Sequence, residues 1–242
     1  MIPLRDANPT RRTPVITLAL IGLCFVAFAW ELTILVQGGD DALDAFLTNF
    51  GVIPAELVAA IKGGSWLSEP VLDVFTSMFL HAGWLHLLGN MLYLWIFGNN
   101  VEDRLGRPVF LLFYLLGGVV AVAGQTLIDP QSEIPLIGAS GAISATLGAY
   151  LVLYPGARIQ SLVFLGFFYQ LIAVPAVVVL GFWFVLQLID GLASLGATTG
   201  VEGGVAFFAH IGGFVVGLAV GLLLRVVGAG TGRDRRGFGP MG

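Results

Sequence analysis

His86 and Asn90 stand four residues apart in Gly83-Trp84-Leu85-His86-Leu87-Leu88-Gly89-Asn90; Ser140 lies in Gly138-Ala139-Ser140-Gly141, and His210 in Ala209-His210-Ile211-Gly212-Gly213. All three segments are apolar, and an imidazole in a membrane-like segment is costly without a partner or a role. A serine hydroxyl is a weak nucleophile until a neighbouring base takes its proton. His210 is of the type to be that base and then to protonate a leaving amine. The tetrahedral intermediate needs donors for its oxyanion; the side chains of His86 and Asn90, on one helix face, can supply them with the Ser140 backbone N–H. No Asp or Glu lies within one turn of His210, Glu202 being the nearest before it, so a dyad is expected rather than a triad. The remaining histidine, His81, is read as pinning an external loop. Taken singly the signals are weak: a serine in a membrane helix commonly bonds back to its own helix, and an asparagine can simply join two helices.

The elements that must position these groups are apolar runs. The 242-residue chain is 57% hydrophobic and 11% charged, with a mean hydropathy of +0.93. Soluble domains carry about 25% charged residues. Six runs stand out, at 14–36, 83–100, 108–128, 138–154, 174–195 and 204–227. Each approaches the ~20 residues that cross a bilayer. The expectation is an all-α, six-transmembrane-helix bundle forming one domain over 14–227. A cytoplasmic segment, 1–13, precedes it and a flexible cytoplasmic tail, 228–242, follows. The first run is too long, and lacks the cleavage site, for a removable signal peptide. The lone Cys24 excludes an intrachain disulfide or a cysteine metal site; neither metal nor cofactor is expected. Ten of the eleven basic residues (Arg5, Arg11, Arg12, Arg104, Arg107, Arg158, Arg225, Arg233, Arg235 and Arg236) fall on one side if the runs alternate, and only Lys62 on the other. The positive-inside rule then puts both termini in the cytoplasm. No basic patch with interleaved aromatics points to nucleic acid.

Between the runs, the long segment at about 37–82 is external. Phe46, Phe50, Ile53, Leu57 and Ile61 recur there at helical spacing, split near Pro54. Two readings stand: amphipathic helix at the membrane interface, or a loop packed on the bundle. The first ten residues are expected to be mobile. The stretch 158–173 is apolar and leads to Pro175, read as the first turn of helix five.

Helices two, four and six run inward from the outer face, so His86, Asn90, Ser140 and His210 should lie at similar depth. Gly213, Gly217 and Gly221 make a small-residue stripe on helix six; Ser140, Ser144 and Gly148, flanked by Gly141 and Ala145, make one on helix four. Such stripes let helices pack backbone to backbone. If they face each other, Ser140 and His210 come within hydrogen-bond reach; alternatively both serve packing alone.

Together these residues resemble the rhomboid family of intramembrane serine proteases, from about Phe50 to Leu222. The pieces are His81-x4-His86-x3-Asn90, Glu102-Asp103-Arg104-Leu105-Gly106, Gly138-Ala139-Ser140-Gly141 and Ala209-His210-Ile211-Gly212-Gly213-x3-Gly217. The resemblance implies a six-helix fold with a water-filled site opening outward, Ser140 as nucleophile and His210 as general base. It implies His86, Asn90 and the Ser140 backbone as oxyanion hole, with Glu102 and Arg104 tying cytoplasmic helix ends. It implies single-pass transmembrane proteins as substrates, cut in or near the lipid bilayer, where a cleavable segment must unwind. Admission past helix five, with Phe182, Trp183 and Phe184, is the expected route. Two departures stand out. Ser144 replaces the aromatic that stacks on the catalytic histidine in many members, so its hydroxyl or a water is expected to orient His210. The Trp-Arg pair found in the first external loop of some members is absent. A catalytically inactive relative that binds membrane clients, and a small transporter using Glu31 or Asp190, are the competing classes. The simple layout suggests a prokaryotic plasma membrane.

Overall fold

The computed structural model describes residues 1–166, 168–195 and 206–230. It is mostly helical. Helix α1 (Val15–Phe50) breaks at Gly39, whose φ of 73° suits a glycine. Pro54 opens α2 (Pro54–Lys62) at a position where its missing N–H costs nothing, so the stretch 42–61 is split there into the end of α1 and a separate short helix. Helix α3 (Glu69–Thr76) and a 3-10 turn (Ser77–Phe79) lead to α4 (Trp84–Tyr93). That helix continues through a π turn at Leu94–Gly98 into α5 (Asn99–Leu105). Then come α6 (Arg107–Ile128), α7 (Ser140–Leu153), α8 (Ala176–Ser194) and α9 (Phe207–Gly230).

Among the described residues four helices, α1, α6, α8 and α9, are long and apolar enough to cross a membrane; the bent pair Glu69–Phe79 and Trp84–Leu105, meeting at 79°, makes a fifth candidate. Helix α7 differs from its expected length. It has 14 residues, about 21 Å at 1.5 Å per residue, short of a ~30 Å hydrocarbon core. Twelve of those residues are buried. A helix enclosed on all sides by protein has no lipid face to match, so it can be short and rich in Gly, Ala and Ser.

The all-α expectation needs correction. Residues Ile2–Asp6 form β1, and Arg158–Leu165 and Phe168–Pro175 form the hairpin β2–β3. The antiparallel order is β1-β2-β3, with Asp6 opposite Ile159 and Arg158 opposite Pro175. The first residues are therefore a paired strand, not a mobile arm. Pro175 ends β3 and directly precedes α8, rather than lying in its first turn. The expected flexible tail is helical to Gly230; residues 231–242, and 204–205 of the sixth run, lie outside the described residues.

Packing on α7 follows the small residues. A Cβ on Gly213 would collide with the Gly141 carbonyl, one on Gly217 with the Ala145 carbonyl, and one on Gly148 with the Phe214 carbonyl. The two stripes do face each other, with α7 and α9 in backbone contact. On its other side α7 meets α6, where Gly117 abuts Ala145 and Gly141 abuts Ala121.

Candidate active site

Ser140 is the first residue of α7, His86 the third of α4 and His210 the fourth of α9. Three helix N-termini thus converge, and their dipoles favour negative charge between them. Local sequence explains each start. Gly83 precedes α4, and Gly138, with φ of 114°, precedes α7 by two residues. Helix α9 is capped from outside itself: Gln125 Oε1, on α6, accepts from the N–H groups of Phe208 at 3.1 Å and Ala209 at 3.3 Å.

His210 Nε2 lies 2.8 Å from Ser140 Oγ, and His210 Nδ1 lies 2.6 Å from Gln187 Oε1 on α8. A carbonyl oxygen only accepts, so Nδ1 carries the proton and donates to Gln187. Nε2 is then free to accept from the serine hydroxyl. The Trp183 ring lies 5.9 Å from the His210 ring, tilted by 39°. Ser144 does not orient the histidine, contrary to expectation: its hydroxyl donates to the Ser140 carbonyl at 2.6 Å, the usual use of a serine inside a helix.

Ser140, His210, His86, Asn90, Ser144 and Trp183 line one open cavity of about 1160 Å³. Asn90 is buried and its Nδ2 has no partner among the described residues. A buried donor left unpaired is expensive, and this one borders the space beside Ser140. A Cβ on Gly138 would sit 2.6 Å from His86 Nε2 and 3.7 Å from Asn90 Nδ2. Glycine there leaves the donor pair uncovered.

His81 is hydrogen-bonded within its own loop and stands beside the site. Its Nδ1 donates to the Phe79 carbonyl at 3.1 Å, and its backbone N–H donates to Glu31 Oε1 at 3.1 Å. Its ring lies 5.0 Å from that of His86, edge to face. Glu31, considered above as a transport carboxylate, is thus occupied with a loop contact. At the far end of the bundle Glu102 accepts from the N–H groups of Ile16 and Thr17 and from the Thr17 hydroxyl, at 2.8–3.0 Å. It caps the start of α1, while Arg104 stands in the last turn of α5. Gly141, Gly213 and Gly217 are the close-approach points already described.

The profile of the rhomboid domain matches residues 68–226. The chain belongs to the rhomboid family. This rhomboid is 31% identical over 209 residues to Rhomboid protease GluP of Bacillus subtilis (strain 168), covering 86% of this chain and 35% of GluP. It is 28% identical over 155 residues to Rhomboid protein 1, mitochondrial, of Saccharomyces cerevisiae, covering 62% and 41%. It is 33% identical over 90 residues to Presenilin-associated rhomboid-like protein A, mitochondrial, of Danio rerio, covering 36% and 24%. The chain spans about a third of the length of GluP. Family membership and the apolar helices make it a multi-pass integral membrane protein.

Sequence reasoning missed Gln187 and Gln125. Each is an uncharged polar side chain inside an apolar run, where polar groups seek partners on other helices. That signal was present, although the partner's identity was not.

Proposed function

We propose that this rhomboid is an intramembrane serine endopeptidase that cuts single-pass transmembrane proteins in or near the bilayer. The observation that carries the reading is the 2.8 Å contact of Ser140 Oγ with His210 Nε2, beside the buried Asn90 Nδ2, which has no partner among the described residues. Ser140 Oγ attacks the scissile carbonyl carbon as its proton passes to His210 Nε2. The oxyanion accepts hydrogen bonds from His86, Asn90 and the Ser140 N–H. Collapse breaks the C–N bond, and His210 returns its proton to the leaving amine. Water, deprotonated by the same histidine, then hydrolyses the acyl ester and restores Ser140.

In this reading α1, α4–α5, α6, α7, α8 and α9 make six membrane helices, with both termini cytoplasmic and the cavity open to the outer side. The segment at about 37–82 lies on the outer side in this reading, and the domain takes in β1 and runs to the end of α9 at Gly230, past the 14–227 expected from hydropathy. Residence in a prokaryotic plasma membrane fits the simple layout. The substrate's partly unwound segment reaches Ser140 from the α8 side, where Phe182 is 54% exposed.

The test is cleavage of a single-pass test substrate by the purified protein in detergent, beside Ser140→Ala and His210→Ala. Cleavage abolished by both substitutions is expected. No cleavage across several substrates, with no labelling of Ser140 by a serine-reactive fluorophosphonate, would instead indicate a client-binding relative that keeps the motif without the chemistry.

A further inference from the structure

Helix α8 presents Trp183, Gln187 and Gly191 at four-residue spacing, hence on one face. The Trp183 ring lies beside the His210 ring, and Gln187 Oε1 accepts from its Nδ1. At Gly191 an added Cβ would lie 3.2 Å from Phe207 Cβ and 3.4 Å from Ile211 Cδ1. The missing side chain lets α8 approach the first turn of α9, and this short distance is what allows an amide to reach the imidazole.

We propose that Gln187 is the positioning residue for His210, so that the site is a Ser140–His210 pair whose imidazole is held from α8. The assignment rests on the protease reading above. Both ring nitrogens of His210 are accounted for, Nε2 by Ser140 and Nδ1 by Gln187. The other candidate, Ser144, is committed to its own helix. Gln187 does not line the cavity, whereas Ser140, His210 and Trp183 do. It therefore acts through the histidine and not on the substrate.

The choice of an amide has a physical reason. A carboxylate behind the histidine would bring a charge into an apolar helix interface, at a desolvation cost that its attraction to the imidazolium must offset. The amide oxygen selects the same tautomer with no buried charge. In the uncharged site the Nδ1 proton is fixed, Nε2 faces Ser140, and the ring cannot flip without losing a short hydrogen bond.

The substitutions that separate this role from packing are Gln187→Leu, which keeps the volume and removes the acceptor, and Gln187→Glu, which keeps an acceptor. Fluorophosphonate labelling of Ser140 in the purified full-length protein reports nucleophile activation without a protein substrate. Gln187→Leu should label about tenfold more slowly or worse, with kcat reduced and KM unchanged on the test substrate. Gln187→Glu should stay within a few-fold of the parent, and thermal melts should show all versions folded. With only three histidines in the chain, nitrogen-15 histidine labelling gives a second readout. A low-field Nδ1–H resonance, assigned by its loss in His210→Ala, should persist in Ser140→Ala and Gln187→Glu and vanish in Gln187→Leu. Labelling of Gln187→Leu at the parental rate, or a Gln187→Glu protein as slow as Gln187→Leu, would overturn the proposal. If the parent labels no faster than Ser140→Ala, the protease reading fails, and the resonance still decides whether Gln187 holds His210.

Discussion

Asp6, on β1, accepts hydrogen bonds from Asn100 Nδ2 at 2.6 Å and from the Tyr150 hydroxyl at 2.9 Å. Burial holds its carboxyl above the ordinary 3.8, against the opposing pull of hydrogen bonds from Tyr150, Asn100 and backbone N–H groups. The folded chain therefore keeps this proton to higher pH than the unfolded chain does. Stability from this group is highest at low pH, falls as pH rises from near 3.8 through the raised value, and is flat above it. Asp6→Asn keeps an acceptor oxygen without the charge. It should remove that slope and leave the protein as stable as the parent, or more so, at neutral pH. Thermal melts from about pH 4 to about pH 7 check this; a much lower neutral melting temperature in the variant would mean the ionised carboxylate is the favoured form. Ser144 likewise spends its hydroxyl on the Ser140 carbonyl. A hydroxyl one turn above Ser140 is closer to its own helix carbonyl than to a ring on another helix.

Between elements, the distance from Ser140 to His210 is set by how closely α7 and α9 can approach. Gly213 and Gly217 meet backbone carbonyls of α7, which cannot swing aside as a side chain would. Gly213→Ala should therefore part the helices, costing about 1–3 kcal/mol and, on the proposed protease reading, more than about tenfold in activity, since Ser140 and His210 ride on opposite partners. Gly181→Ala is the control: nothing lies within 4 Å of its Cβ position, and alanine is the better helix former. Cleavage assays and melts on the two variants test the argument. Equal behaviour would show that the interface yields without moving the dyad.

Across the whole molecule, the charge distribution makes a claim about orientation. The long external segment should face out, and the β1–β2–β3 sheet should face the cytoplasm. The native Cys24 is fully buried, so it leaves cysteine mapping clean. A membrane-impermeant maleimide should label Ser65→Cys in intact cells, and Arg5→Cys only after permeabilisation; both positions are exposed. Labelling of both from outside would invert or break the proposed topology. The sheet adds a structural reason for the same arrangement. It joins the first residues to the segment before α8, and with Asn8 bonded to Asn100 at 2.8 Å it ties one end of the bundle together.

The apolar runs, the split at Pro54, the facing glycine stripes and the shared face of His86 and Asn90 were all legible in sequence, because each is a local matter of periodicity or of residue size along one helix. Glu102 was legible too, through resemblance. What remained hidden depends on partners far apart in the chain. The hairpin at 158–175 reads as a short apolar run, and periodicity alone does not separate a buried strand from a helix fragment; pairing with β1 decides it. Gln187 and Gln125 are visible as polar residues in apolar helices, yet only the packing of α8 and α6 against α9 shows one holding the His210 ring and the other capping its helix. Residue type and spacing along each helix fix which side chains are reactive and which helices can touch closely. Packing assigns the polar atom that each one meets, because hydrogen-bond partners are chosen by proximity in space among groups that burial leaves without water.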